Sequence, residues 1–512
     1  MTDWTAGYVA DIGYIFGAYS ELNPLRVRLA FLHAGLALPE SGVACELGFG
    51  QGMNINIHAA ATFTEWHGTD FNPTQVGFAQ DLAKVSGSKA KLHDESFEEF
   101  CKREDLPDFD FIALHGIWTW ISNDNRGIIV DFVRRKLKVG GVLYVSYNTM
   151  QGWANMIPVR ELMNGHSSVM AAPGKSMLPR VGESLDFIDR LFSTDPAYLK
   201  VNPSVKARVD SVKKMSRNYV AHEYFGRDWS PMSFSEMARW LAPAKLSFAC
   251  SAHYPDQIDK INFTEEQLVL LKEIDDVHFA QTVRDFMLNQ PFRRDYWVRG
   301  ARTLRSSQRQ ELLMAQNVML TVPLDKVQYK LRTVLGDVQL QESVYKPIID
   351  FLSDYQSRTI GQIAEVCTAG DITNGQLIQA IFLLVAMEYV QAVQAPDFIV
   401  QAKPQTDKLN RYICQIAMDS YDISHLASPA TGGAIHVPRF NQLFLLSRAN
   451  GAQRPEQWAA FANGVLTRAG SRLVLKGTPV ESEEEQLGEL NRVAKEFAQR
   501  DMPILSALGV IF

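Results

Sequence analysis

Cysteine is scarce in this sequence: Cys45, Cys101, Cys250, Cys367 and Cys414 are the only five in 512 residues. No two form a CxxC pair, which excludes a disulfide framework and a zinc site of paired-cysteine spacing. The odd, scattered set reads as reduced buried thiols of a cytoplasmic protein with no metal centre. An excess of positive charge is also lacking. Lys and Arg number 51 against 57 Asp and Glu, a net charge of −6, so the basic footprint of a general nucleic-acid binder is missing and no nucleic-acid partner is expected. No apolar run is long. The most apolar stretch, 381–390, contains Glu388 and is too short to cross a bilayer, so it is expected as a core helix and no membrane insertion is expected. The opening Met1-Thr2-Asp3-Trp4 has no basic region followed by an apolar one, and so no secretory signal is read there. Internal repeats and low-complexity tracts are absent too.

What is present is the composition of a globular protein, 46% hydrophobic and 21% charged, over a length that suggests about two to four domains. Residues up to about 37 read as helical, with Leu25, Leu29 and Leu32 on one face. Strands and helices then alternate: strands near 43–47, 65–69, 90–93, 109–114 and 142–146, and helices near 54–63, 73–85, 95–100 and 126–136. The helix at 73 opens on the cap signal Asn72-Pro73. This order predicts an α/β domain built on a doubly wound, Rossmann-like parallel sheet within about residues 1–170. Beyond it, helices are expected to dominate. Residues 219–300 read as mostly helical. In 340–400 three helices (344–352, 360–366 and 375–385) precede two strands (389–393 and 398–400), the order of a winged helix. Residues 401–512 read as helical, with the acidic run 481–485 as a solvated helix start.

The chemically informative stretch is Glu46-Leu47-Gly48-Phe49-Gly50-Gln51-Gly52, between an apolar strand and a helix. Glycines there let the backbone turn sharply and approach a ligand closely, and the helix N-terminus offers N–H groups to an anionic group. A dinucleotide fingerprint requires a third glycine one place later, where Met53 stands, and a phosphate-binding P-loop requires Gly-Lys-Ser/Thr. An acid at the strand end followed by GxGxG suits a nucleoside carrying a cationic amino-acid moiety, with Glu46 near the ammonium and Gly48, Gly50 and Gly52 along the chain. Asp70 ends the second strand about 20 residues on, where such sites hold the ribose hydroxyls. Asp94 ends the third, toward the base, with Phe71 and Phe97 placed to pack on it.

Ligands of open α/β sheets bind beyond the carboxyl ends of the strands. The fourth strand runs into His115-Gly116-Ile117-Trp118-Thr119-Trp120-Ile121, and the fifth into Ser146-Tyr147-Asn148-Thr149-Met150-Gln151-Gly152-Trp153. Trp118 and Tyr147 are expected to hold an amine against their ring faces, Asn148 to orient it, and His115 to take a proton or to bond the cofactor. Trp120 and Trp153 suit core packing as well as a site.

These two segments resemble bacterial class I methyltransferases that carry a methyltransferase regulatory domain. Tyr219-Val220-Ala221-His222-Glu223-Tyr224-Phe225 is similar to the start of that domain, and Asp285-Phe286 with Pro291-Phe292-Arg293 to its end. The last residues, Pro503-Ile504-Leu505 to Phe512, are similar to the family's C-terminus. One departure is Gln151, where the family carries proline. The best-understood members it resembles are rickettsial protein-lysine methyltransferases of an outer-membrane protein. The resemblance implies a catalytic domain over 1–170, a regulatory domain over 210–302 and a C-terminal domain over 315–512. It implies S-adenosyl-L-methionine as cofactor, bound by Glu46, Gly48, Gly50, Asp70 and Asp94. The expected activity is N-methylation of lysines in a protein substrate of the outer-membrane or surface kind, with a homodimer left open. Two alternatives stand beside it: a small-molecule methyltransferase of secondary metabolism, and a non-catalytic regulatory or binding protein on the same fold. His222 and Glu223 read as structural residues of a helix. Tyr8, Tyr14, Phe16 and Tyr19 read either as a lid over the cofactor or as packing.

Overall fold

A computed structural model of the chain describes residues 12–170, 172, 174–367, 372–475 and 478–512. Five parallel strands lie side by side: β1 (Val43–Leu47), β2 (Glu65–Asp70), β3 (Lys91–Asp94), β4 (Phe109–Leu114) and β5 (Leu137–Asn148). β1, β4 and the inner part of β5 are buried along almost their whole length, as a parallel sheet covered on both faces requires. The crossover helices are α2 (Met53–Ala61), α3 (Pro73–Ser86), α4 (Phe97–Lys102) and α5 (Asn123–Lys136). Their starts are written locally. The Asn72 side chain accepts from the Thr74 amide at 3.1 Å, Ser96 and Glu99 close a capping box, and Ser122 caps α5.

The sheet has seven strands, in the order β3-β2-β1-β4-β5-β7-β6. Chain order reverses between β1 and β4, so a crevice opens beyond the tips of those strands. The last two strands, β6 (Leu246–Ser251) and β7 (Phe292–Arg299), come from residues expected to be mostly helical. β7 runs antiparallel to β5, with Tyr147 opposite Arg293, and β6 runs antiparallel to β7. The sheet therefore does not close until Arg299. The stretch is mostly helical, as expected, but for these two strands; β7 buries Arg293 and Asp295, two charged residues that mask its strand pattern.

The N-terminal helix is shorter than expected. A 3-10 turn, Ser20–Leu22, precedes α1 (Pro24–His33), which Pro24 starts and Asn23 caps through the Leu25 amide at 2.9 Å. Downstream, helices Glu342–Phe351, Ile360–Cys367 and Asn374–Ala386 fall where the winged-helix reading put them. The expected second strand at 398–400 is instead part of helix Pro396–Ile416, because Pro396 and Asp397 form a helix start. Strand Asn317–Leu320 takes its place beside Val390–Ala392. The region after 401 is helical, with a hairpin of His425–Ser428 and Gly433–His436. It is tied to the sheet domain by Asn23 donating to the Thr431 carbonyl, Gln394 donating to the Ala61 carbonyl, and His58 bonding to the Gly432 carbonyl.

Candidate active site

The β1–α2 loop is folded as its glycines allow. Gly48, Gly50 and Gly52 have φ of 72°, 59° and 70°, a left-handed region that other residues enter only at a cost. Two of them also lack room for a side chain. A Cβ on Gly52 would meet the Ala79 Cβ at 2.3 Å, and one on Gly48 the Ile117 Cδ1 at 2.5 Å. The loop is pinned to the tip of β2. The Gly48 amide donates to the Thr69 carbonyl at 2.8 Å, and the Gly50 amide donates to Asp70 Oδ2 at 2.9 Å. Asp70 Oδ1 accepts from the Asn72 amide at 3.0 Å, so one carboxylate braces both the glycine loop and the start of α3.

Glu46, at the tip of β1, is buried and accepts from the Asn54 amide nitrogen at 3.1 Å. Asn54 Oδ1 in turn accepts from the Tyr19 backbone at 3.0 Å. Burial pushes the Glu46 carboxyl up to about 8, with Asp70 adding to the rise and Asn54 opposing it. Burial likewise raises Asp70 to about 6, against the amide hydrogen bonds that hold it down. Two buried acids that resist ionisation suit a site awaiting a cation and hydroxyl donors.

A cavity of about 220 Å³ lies over these groups. Glu46, Gly48, Gly50, Gly52, Asp70, Phe71 and His115 all line it, as the sequence led one to expect. Asp94 does not. It pairs with Asp70 in the sheet register but is exposed, and the next residues, Glu95, Ser96 and Phe97, reach the cavity instead. Two buried polar atoms on the wall have no hydrogen-bond partner among the described residues, the acceptor Glu95 Oε2 and the donor Gln75 Nε2. Neither residue stood out in the sequence, since a glutamine inside a helix and an acid one place past a strand end carry no local signal.

Beyond β4 the placement departs from expectation. Trp118 is 1% exposed; its indole N–H points at Met232 Sδ and its ring meets Trp240 edge to face. Tyr147 is equally buried and donates to Asp295 Oδ2 at 2.9 Å. Asp295 and Asp285 flank Arg293 there, at 2.9 and 2.6 Å. Neither ring lines the cavity, contrary to expectation. Alternate residues of β5 face opposite sides of the sheet, and the segment after β4 turns Trp118 inward and Trp120 outward. Asn148 is also buried behind the wall; its backbone bonds to Thr119 and Met232, and its Nδ2 has no partner among the described residues. Trp153 donates to the Pro291 carbonyl. Gly152 sits so close to Pro291 that a Cβ would lie 2.3 Å from its Cα. The segments at 146–153 and 291–293 are thus one packed unit behind the site.

His115 does face the cavity. Tyr19 stacks on it with ring centroids 3.5 Å apart and planes at 22°, and its Nδ1 bonds to the Tyr144 hydroxyl at 2.8 Å. Burial lowers His115 to about 4, so the ring is neutral at ordinary pH and a poor proton acceptor. Of the N-terminal aromatics, Tyr14 and Tyr19 line the cavity. Phe16 packs on Phe78, and Tyr8 lies outside the described residues. The helix Arg217–Phe225 closes the opposite wall. Its His222 bonds to the Ile12 carbonyl at 3.1 Å and meets Tyr14 edge to face, as a structural residue does. Its Glu223 lines the cavity.

Residues 216–299 match a family model described as "Predicted methyltransferase regulatory domain". Those residues therefore include the helix that closes the cavity and both antiparallel strands of the sheet. An uncharacterized protein of Synechocystis sp. is 36% identical over 512 residues, 99% of each chain. An uncharacterized protein of Rickettsia prowazekii is 25% identical over 304 residues, 55% of this chain and 51% of that one. Among solved structures, PKMT2 from Rickettsia typhi in complex with AdoHcy superposes with a TM-score of 0.70 at 18% identity, covering 96% of this chain and 99% of that one. The chain belongs to the full-length family of the Synechocystis protein, a class I methyltransferase fold that carries a methyltransferase regulatory domain.

Proposed function

We propose that the cavity binds S-adenosyl-L-methionine and that the protein is an N-methyltransferase acting on lysine side chains of a protein substrate. The observation that carries the cofactor reading is the Gly50–Asp70 bond, which holds a glycine loop, an acid at the tip of β1 and an acid at the tip of β2 around one cavity. The residues present fit the group. Glu46 is a buried acid set to receive its ammonium, and Asp70 has acceptor capacity left for ribose hydroxyls. The unpartnered Glu95 Oε2 suits the amino group of the base, and the unpartnered Gln75 Nε2 suits an oxygen. Phe71 and Phe97 frame the base, and the left-handed glycines keep Cβ atoms out of its path. The AdoHcy in the Rickettsia typhi structure of the same fold supports this reading.

When bound, the cofactor supplies an electrophilic methyl group on a sulfonium sulfur. The chain's part is alignment and dryness. The neutral His115, clamped between Tyr19 and Tyr144, holds Tyr19 over the cavity, and Trp120 walls off the β4 side. Trp118, Tyr147 and Asn148 support this wall from behind. The acids and aromatic rings around the cavity favour an amine substrate that arrives as a cation and gives up a proton before it takes the methyl group, and the resemblance to rickettsial protein-lysine methyltransferases extends that to lysine.

The second reading is a small amine metabolite, favoured by a cavity of only about 220 Å³. Full-length protein incubated with methyl-labelled S-adenosylmethionine and envelope proteins of its host should place label on lysine Nζ. Label confined to oxygen or to a free metabolite removes the protein-lysine reading.

A further inference from the structure

Helix Arg217–Phe225 starts at Ser216, whose side chain accepts from the Tyr219 amide. Glu223 faces the cavity with its carboxylate engaged in neither an ion pair nor a hydrogen bond among the described residues. Glu223 lies in the field of Arg160, from helix Ile157–Val169. That guanidinium forms no ion pair with it among the described residues: Nη2 donates to the Gly226 carbonyl at 2.6 Å, the group lies 4.5 Å over the Trp229 ring, and Nε has no partner among the described residues. Tyr14, Tyr19 and Trp120 are among the rings that share the cavity wall with Glu223. Tyr19 lies in the field of both Glu46 and Glu223, so it stands between the acid at the tip of β1 and the acid of the regulatory domain.

A partly buried carboxylate without an ion-pair partner costs free energy that an arriving cation relieves. Aromatic faces beside it add attraction for an ammonium group. Glu46 belongs to β1, whereas the segment that follows Glu223 packs toward Trp120, with a Cβ on Gly226 lying 3.6 Å from that ring. We infer that Glu223 is the acceptor subsite: its carboxylate binds the protonated primary amine of the substrate and takes one proton from it.

In that step R–NH₃⁺ and the carboxylate become R–NH₂ and the neutral acid. The nitrogen lone pair is freed for methyl transfer, and Glu223 later returns its proton to water. Burial supports the role by lifting Glu223 to about 7, with Arg160 opposing, which matches a proton acceptor to neutral pH better than His115 does. The titratable groups that share the cavity or the helix with it include Tyr14 and Tyr19 from the N-terminal segment, Glu46 and His115 at strand tips, Tyr219, His222 and Tyr224 on its own helix, and Arg227 and Asp228 in the loop that follows. The regulatory domain thereby supplies a residue to the reaction and not only a scaffold. This inference rests on the methyltransferase reading.

The test uses full-length protein saturated with S-adenosylhomocysteine and titrated calorimetrically with n-butylamine hydrochloride, a lysine side-chain mimic. Wild type should bind the amine, and Glu223→Gln should weaken that binding about tenfold or more, the loss expected for one charge-assisted contact. Glu223→Ser should do the same, and both variants should bind S-adenosylhomocysteine as wild type does, which also shows that they fold. Wild-type amine affinity in either folded variant overturns the inference, as does absence of amine binding by wild type loaded with S-adenosylhomocysteine. Failure of wild type to bind S-adenosylhomocysteine appears before amine is added; it overturns the methyltransferase reading and this inference with it.

Discussion

Asp70 accepts the Gly50 amide through one oxygen and the Asn72 amide through the other, at 2.9 and 3.0 Å. The second strand therefore sets the shape of the loop that follows the first. The geometry of the crevice depends on this acid and on the packing around it.

The glycine loop should not tolerate a side chain at its last position. Gly52→Ala forces a left-handed alanine against Ala79. It should cost about 2–4 kcal/mol in denaturant unfolding. Adding Ala79→Gly removes the clash but not the strained φ, so the double variant should recover part of the loss. Additive costs would mean that the contact is not the source.

Ligand binding should be coupled to a proton through Glu46. Its folded-state value of about 8 lies above the usual 4.5, so the unliganded folded protein binds an extra proton between those limits. Its stability therefore falls as pH rises through that window. An arriving ammonium favours the ionised acid. Binding of S-adenosylhomocysteine at pH 7 should release about one proton and tighten as pH rises toward 8. Calorimetry in buffers of different ionisation enthalpy reads the proton directly, and Glu46→Gln should abolish the release. Release unchanged in that variant would assign the proton to another group.

Tyr147 should matter for stability and not for ligand. Tyr147→Phe removes a buried hydrogen bond to Asp295 and should cost about 1–2 kcal/mol, with S-adenosylhomocysteine affinity unchanged. Arg293→Met strands Asp285 and Asp295 without their cation and should cost about 3–5 kcal/mol. A Tyr147→Phe protein of normal stability that has lost ligand affinity would return this ring to the site.

The part of the site that was legible in the sequence is the part that local geometry dictates. Three glycines after an apolar strand, and acids at strand tips, leave marks that spacing alone exposes. Glu46, the glycines, Asp70 and Phe71 accordingly stand together in the cavity. What pairs through space left no such mark. β7 escaped because Arg293 and Asp295 balance each other inside the sheet. Trp118 and Tyr147 were read as site residues from their nearness to strand tips, yet the side a residue faces depends on turn geometry and sheet alternation. Glu223 read as an ordinary helix residue because the wall it completes is built from a strand tip about 100 residues earlier in the chain. The wing strand expected at 398–400 gave way to the stronger helix-start signal of Pro396.

The central claim is that one cavity holds a sulfonium nucleoside across the tips of β1, β2 and β3. Calorimetric titration of S-adenosylhomocysteine into wild type and Asp70→Ala tests it most directly. Wild type should bind one equivalent, and Asp70→Ala should bind at least about thirtyfold more weakly, the loss of roughly two hydrogen bonds and the brace on the loop. No binding by folded wild type, or equal affinity in the two proteins, would contradict it.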